Sequence, residues 1–161
     1  MIVEILSYID RENVKWVHFG EGYLQDEIEK LCNTKLKNVK VDFRGLVANA
    51  DILDYYANNY VDLFINVSES EGIPVSIMEA TSAGIPVVAT NVGGTSEAVK
   101  EDFGFLIEEN FDSKQVAAIV ENYLNSLPEN QRQYRKNAHN FWKENFDAQK
   151  NFTQFYEKVL K

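Results

Sequence analysis

Five apolar runs, at 14–19, 39–43, 61–67, 85–90 and 104–107, alternate with segments of helical spacing, and this alternation restricts the fold more than any other feature of the chain. Strands that alternate with helices pair in parallel, because each parallel connection needs a crossover long enough to hold a helix. A parallel sheet is covered on both faces, so the expected class is α/β, a Rossmann-like parallel sheet with helices on both sides. Such sheets bind ligands beyond the carboxyl ends of their strands, which puts the loops after Phe19, Phe43, Val67 and Thr90 on one rim.

The helices can be placed from their spacing and their ends. Ile2, Ile5, Leu6 and Ile9 open the chain at helical spacing, and Leu24, Ile28 and Leu31 mark a second helix from about residue 24 to 32. Asp51 is the expected N-cap of a helix reaching Asn58, and Pro74 the expected first residue of one that Gly84 ends. Thr95 or Ser96 is expected to cap a short helix with Glu97 in its first turn, where the carboxylate would favour the dipole. Residues 113–124, a helix opened by Pro128, and a last helix capped by Asp147 complete the reading.

The 161 residues suit a single domain, expected to span 1–161. Twenty-five Asp and Glu outnumber sixteen Lys and Arg, and the field of a net charge of -9 repels nucleic acid and anionic lipid more than it gathers them, so nucleic acid is not an expected partner. Cys32 is the single cysteine, and His18 and His139 stand far apart, so no disulfide frame, metal site or resident cofactor is expected. With no apolar run long enough for a bilayer and no basic leader, a cytoplasmic setting is expected.

Within this frame the window from Ser68 to Gly94 stands out, because Glu79 is the only charged residue between Glu71 and Glu97. Glu79 falls in the apolar stripe of its helix, where an unpaired carboxylate costs several kcal/mol, so it must meet donors. Neighbouring hydroxyls such as those of Thr81 or Ser82, or a backbone turn, would supply them on the plainest account. Glu71, in the loop before the same helix, raises a second account. Two carboxylates at a sheet's carboxyl rim, beside a helix N-terminus and a Gly93–Gly94 turn, can hold a polyol while backbone amides face a phosphate.

Those residues resemble the signature of the group 1, or family 4, retaining glycosyltransferases: Glu71 and Glu79 separated by seven residues, then Ala80, the run Ala83-Gly84-Ile85-Pro86-Val87, and Val92-Gly93-Gly94 with Glu97. The resemblance implies the C-terminal, nucleotide-sugar-binding domain of a two-domain GT-B enzyme, and it covers nearly all of this chain but only the back part of such an enzyme. It implies that Glu79 holds ribose hydroxyls, that Glu71 holds hydroxyls of the donor sugar, and that neither acts as a nucleophile, so no catalytic residue is assigned here. It also implies that the amides of Gly72, Ile73, Pro74 and Val75 approach sugar and phosphates, and that Gly45, Leu46 and Val47 border the base. Proline lacks an N–H, so at Pro74 one expected sugar or phosphate contact is missing or is supplied by Val75.

The same resemblance implies a preceding strand and an Arg and Lys that neutralise the diphosphate, and an N-terminal acceptor domain, without which the chain alone is expected to be inactive. The expected donor is UDP- or GDP-linked, and the acceptor a glycan or lipid-linked glycan in surface polysaccharide synthesis, reached at the inner face of the membrane. A GT-B sugar epimerase fits the glutamate spacing less well. The alternative of another class is a non-catalytic Rossmann-like module that binds a nucleotide or a protein.

Other features read as structural. Gly20-Glu-Gly22 lacks the third glycine of a dinucleotide fingerprint and reads as a tight turn. Arg44, beside Gly45, is a minor candidate for a phosphate or base contact and otherwise reads as locally paired or solvated; His18 reads as a sheet residue, His139 as solvated, and Phe141, Trp142, Phe146, Phe152, Phe155 and Tyr156 as packing residues.

Overall fold

The computed structural model describes residues 1–159, which form two compact units: residues 1–60 with 110–125, and residues 61–109 with the chain from Ser126 onward. The chain order is α1 (Ile2–Ser7), β1 (Val14–His18), α2 (Gln25–Lys35), β2 (Val39–Phe43), α3 (Asn49–Asn58), β3 (Phe64–Asn66), α4 (Val75–Ser82), β4 (Val87–Thr90), α5 (Thr95–Ala98), β5 (Gly104–Ile107), α6 (Ser113–Leu124), α7 (Pro128–Asn145) and α8 (Ala148–Val159). All strand ladders are parallel, as the alternation requires.

In the first unit β1 pairs with β2, Val14 opposite Val39 and His18 opposite Phe43. Of the expected apolar stripe, Ile5 and Leu6 of α1 and Ile9 just beyond it are buried, whereas Ile2 is half-buried and its neighbour Val3 is buried instead; α1 packs on α2 and α6. The Asp10 N–H donates to Glu121 Oε1 at 2.8 Å, and Arg11 Nη1 to Asn125 Oδ1 at 2.7 Å, tying the end of α1 to α6. On α2 it is Cys32 that is buried, while Leu24 and Leu31 are exposed. Asp51 does not cap α3. That helix starts two residues earlier behind Ala48, and Asp51 sits in its first turn, where its charge still faces the N-terminal dipole.

The second unit holds the three-stranded sheet β3-β4-β5, with β4 central and buried along its whole length. Its core is Ile77, Val87, Ala89, Ala98 and Val99, with Phe64 and Phe146 packed against it. The ladder between β3 and β4 is shorter than the apolar runs 61–67 and 85–90. Phe64 N–H donates to Pro86 O, but Pro86 has no N–H to return, so regular pairing begins only at Phe64 opposite Val87.

Helix α7 covers α4. Pro128 is its first residue, and Arg135 Nη1 donates to Val61 O at 2.6 Å. His139, exposed as a polar-helix residue should be, nevertheless makes a 2.7 Å hydrogen bond through Nδ1 with Ser82 O and lies over Trp142. Phe141 meets Phe103 and Phe146, so this part of the aromatic series is packing, whereas Phe152, Phe155 and Tyr156 of α8 are exposed. Asp147 caps α8, its Oδ1 accepting from the N–H groups of Gln149 and Lys150. No helix among the described residues is long and apolar enough to cross a membrane.

Ile77 has no exposed surface and joins α4 to the sheet, so Ile77→Ala is expected to lower stability by about 2–5 kcal/mol through lost burial and a residual cavity. Val75→Ala, on the exposed side of the same helix, is expected to change it by no more than about 0.5 kcal/mol. Urea unfolding of the two variants measures the contrast.

Candidate ligand-binding rim

β3 and β4 run in parallel, so their carboxyl ends, Asn66 and Thr90, lie at the same edge of the sheet. The loop 67–74 leaves β3 toward α4, and the loop 91–94 leaves β4 toward α5. Three contacts stitch the two loops together. The Thr90 hydroxyl, almost fully buried, donates to Ser68 O. The Gly94 N–H donates to Gly72 O at 3.0 Å. Gly93, at φ +53°, lies so close to the first glutamate that a Cβ on it would sit 1.8 Å from Glu71 O.

The last contact explains the glycine pair. An L side chain is disfavoured at that φ, and the space is already filled by backbone that cannot swing away. At Gly94 a Cβ would meet Gly72 O at 2.8 Å, so the second position is nearly as restricted. Gly94 is consequently the N-cap of α5, and the helix starts at Thr95, one step before either hydroxyl could cap it. Thr95 is buried inside the helix and Glu97 lies exposed in its first turn.

Pro74 is likewise the N-cap of α4, not its first residue. It is buried with φ -69° and ψ 113°, and its carbonyl accepts the N–H groups of Ile77 and Met78. The N–H groups of Val75 and Ser76 have no intrahelical acceptor, as in any first helical turn. They carry the positive end of the α4 dipole beside the loop that holds Glu71. The exposed Gly72, Ile73, Val75 and Ser76 leave the helix entrance open to solvent.

Glu71 and Glu79 are both half-buried. Asn66 Nδ2 donates to Glu71 Oε1 at 3.1 Å. The two hydroxyls named as possible donors to the Glu79 carboxylate are engaged elsewhere: Thr81 donates to the carbonyls of Ile77 and Met78, and Ser82 to the carbonyl, not the carboxylate, of Glu79. Asn66, Ser68, Thr90 and Ser76 are rim residues that apolar periodicity and charge did not single out. The signal for Asn66 was a lone amide closing the apolar stretch Leu63-Phe-Ile-Asn-Val.

Gly45, Leu46 and Val47 belong to the first unit. Gly45, at φ +63°, accepts the Gly20 N–H at 2.7 Å in an isolated antiparallel bridge, and Leu46 is 78% exposed. Gly20 thus closes a turn at the end of β1. Arg44 forms a fork on Asp42, Nε to Oδ1 at 2.9 Å and Nη2 to Oδ2 at 2.8 Å, and this partner, with Lys15, holds the Asp42 carboxyl below its usual range. His18 packs between Trp16 and Phe43, and burial lowers its pKa. Among the described residues no three His, Cys, Asp or Glu side chains gather where they could hold a metal ion.

Gly93→Ala forces a Cβ into Glu71 O and is expected to destabilise the protein by about 1–3 kcal/mol while releasing the 67–74 loop. Hydrogen exchange of the Gly94 amide, which is bonded to Gly72 O, measures that release.

The chain is similar to known proteins. A sequence model of the family described as "Glycosyl transferases group 1" matches residues 2–141. The chain is 37% identical over 149 residues to the Escherichia coli UDP-Gal:alpha-D-GlcNAc-diphosphoundecaprenol alpha-1,3-galactosyltransferase, covering 87% of this chain and 38% of that enzyme. It is 32% identical over 83 residues to the Arabidopsis thaliana sulfoquinovosyl transferase SQD2, covering 52% of this chain and 15% of the relative. The crystal structure of Anabaena HepE in complex with UDP-glucose superposes with a TM-score of 0.79 at 25% identity, over 99% of this chain and 44% of HepE. The chain therefore spans less than half the length of these relatives, and it belongs to the group 1 glycosyltransferase family.

Proposed function

We propose that the β3–β4 rim binds a nucleotide-sugar, and that the chain is the donor-binding part of a retaining transferase that moves the sugar to a glycan or lipid-linked acceptor. The observation that carries this reading is the rim itself: Glu71 is held at the mouth of the α4 N-terminus by a loop that Gly93–Gly94 locks in place. A carboxylate accepts hydrogen bonds from hydroxyls, and the amides of Val75 and Ser76 donate to an anion, so one short segment offers both halves of what a sugar diphosphate presents.

In this reading Glu79 accepts from the ribose hydroxyls and Glu71 from the sugar hydroxyls, while Gly72, Ile73, Val75 and Ser76 line the diphosphate and sugar; Pro74 supplies shape and no N–H. None of these residues attacks the sugar. Their effect on transfer is electrostatic and positional: the helix amides favour the charge that grows on the leaving diphosphate, and the carboxylates hold the anomeric carbon in place. The donor is itself the substrate, so the scheme uses no resident cofactor. UDP is the favoured carrier, supported by the UDP-Gal named for the Escherichia coli relative and the UDP-glucose bound by HepE. The diphosphoundecaprenol acceptor in the name of the former supports a lipid-linked acceptor and a role in surface polysaccharide synthesis.

Ligand-observed saturation-transfer NMR with UDP, GDP and ADP and their glucose conjugates, together with UDP-galactose, tests the assignment. Glu79→Ala is expected to weaken the preferred nucleoside diphosphate at least about tenfold, the equivalent of one hydrogen bond to a charged group. Glu71→Ala is expected to weaken the nucleotide-sugar about tenfold and the bare nucleotide by less than about threefold. A folded Glu79→Ala variant that binds unchanged contradicts the reading, and so does a wild-type protein that binds none of these ligands.

A further inference from the structure

We infer that Asn66 is the positioning residue for the Glu71 carboxylate, an assignment that rests on the sugar-binding reading above and adds to it what fixes Glu71 in place. Asn66 is the last residue of β3, half-buried, with its neighbour Val67 buried, so its side chain is mounted on the sheet and not on the loop. Its amide makes three contacts. Oδ1 accepts the Ser68 N–H at 3.0 Å and the Ser68 hydroxyl at 2.6 Å, and Nδ2 donates to Glu71 Oε1 at 3.1 Å.

The orientation of the amide follows from chemistry. A backbone N–H can only donate, so the atom facing Ser68 N must be the oxygen, which leaves the NH2 group for Glu71. The Ser68 carbonyl in turn accepts from the buried Thr90 hydroxyl on the neighbouring strand. Glu71 is therefore held from both ends: its backbone against Gly93, and its carboxylate by an amide fixed to β3. A carboxylate oriented before ligand arrives loses less side-chain freedom on binding, which favours recognition of hydroxyls.

Aspartate at this position would keep the acceptor for Ser68 and replace the donor with a second carboxylate facing Glu71. The closing experiment has two readouts, one on the Asn66 amide itself and one on the Asn66→Asp variant. In NMR spectra of the unliganded protein, Glu71→Ala is expected to move the Asn66 side-chain NH2 resonances upfield, while Glu69→Ala, which removes the exposed carboxylate two positions earlier, leaves them in place. In titrations, Asn66→Asp is expected to weaken UDP-glucose about tenfold and UDP by less than about threefold, and to have no further effect when Glu71 is already alanine.

NH2 resonances indifferent to Glu71→Ala overturn the assignment, and so does an Asn66→Asp effect of equal size on UDP and UDP-glucose or of equal size in the Glu71→Ala background. If the resonances respond to Glu71→Ala but the wild-type protein binds neither UDP nor UDP-glucose, the contact between Asn66 and Glu71 stands and the choice of ligand is what fails. Circular dichroism of Asn66→Asp separates these outcomes from a loss of fold.

Discussion

The close approach of Gly93 and Gly94 to the backbone of Glu71 and Gly72 is the contact on which the rest of the site depends. Two loops leave neighbouring parallel strands at the same edge, and nothing in a β-sheet ladder fixes loops beyond the last paired residue. Here backbone packs on backbone, with no Cβ between, and one amide-to-carbonyl bond joins Gly94 to Gly72. The loop that carries Glu71 is thereby tied to the neighbouring strand's loop as well as to its own strand. A ligand would meet a formed surface and would not have to order one, which lowers the cost of binding.

Much of the fold could be read from the sequence, because strands at 14–19, 39–43 and 104–107 and the helices between them have strong apolar periodicity. The ends were less legible. Pro86 shortened β3 and β4 through a missing N–H that periodicity does not register, and Asp51, Pro74 and Thr95 each sit one to three positions from where cap preference placed them. At α5 a close approach decided the boundary: Gly94 became an N-cap because Gly72 O stands where a side chain would go.

The site was legible in a different way. Glu71, Glu79 and the glycine pair stand out in the sequence because a charge or a glycine doublet in an apolar window demands a reason. Asn66 and Ser76 carry no such mark, since an asparagine or serine near a loop is ordinary. Their place becomes clear only when the contact from Asn66 to Glu71 and the open first turn of α4 are seen together. The resemblance to group 1 glycosyltransferases explained the glutamate spacing; the geometry adds how this chain keeps the first glutamate still.

The proposal makes the first turn of α4 the contact surface for a sugar diphosphate, and its most direct test is a map of backbone amide shifts as UDP-glucose is added to the protein. The largest changes are expected on Gly72, Ile73, Val75 and Ser76, with the Asn66 side chain following them. Binding that leaves those amides unmoved and perturbs residues elsewhere in the chain would contradict a donor site at this rim.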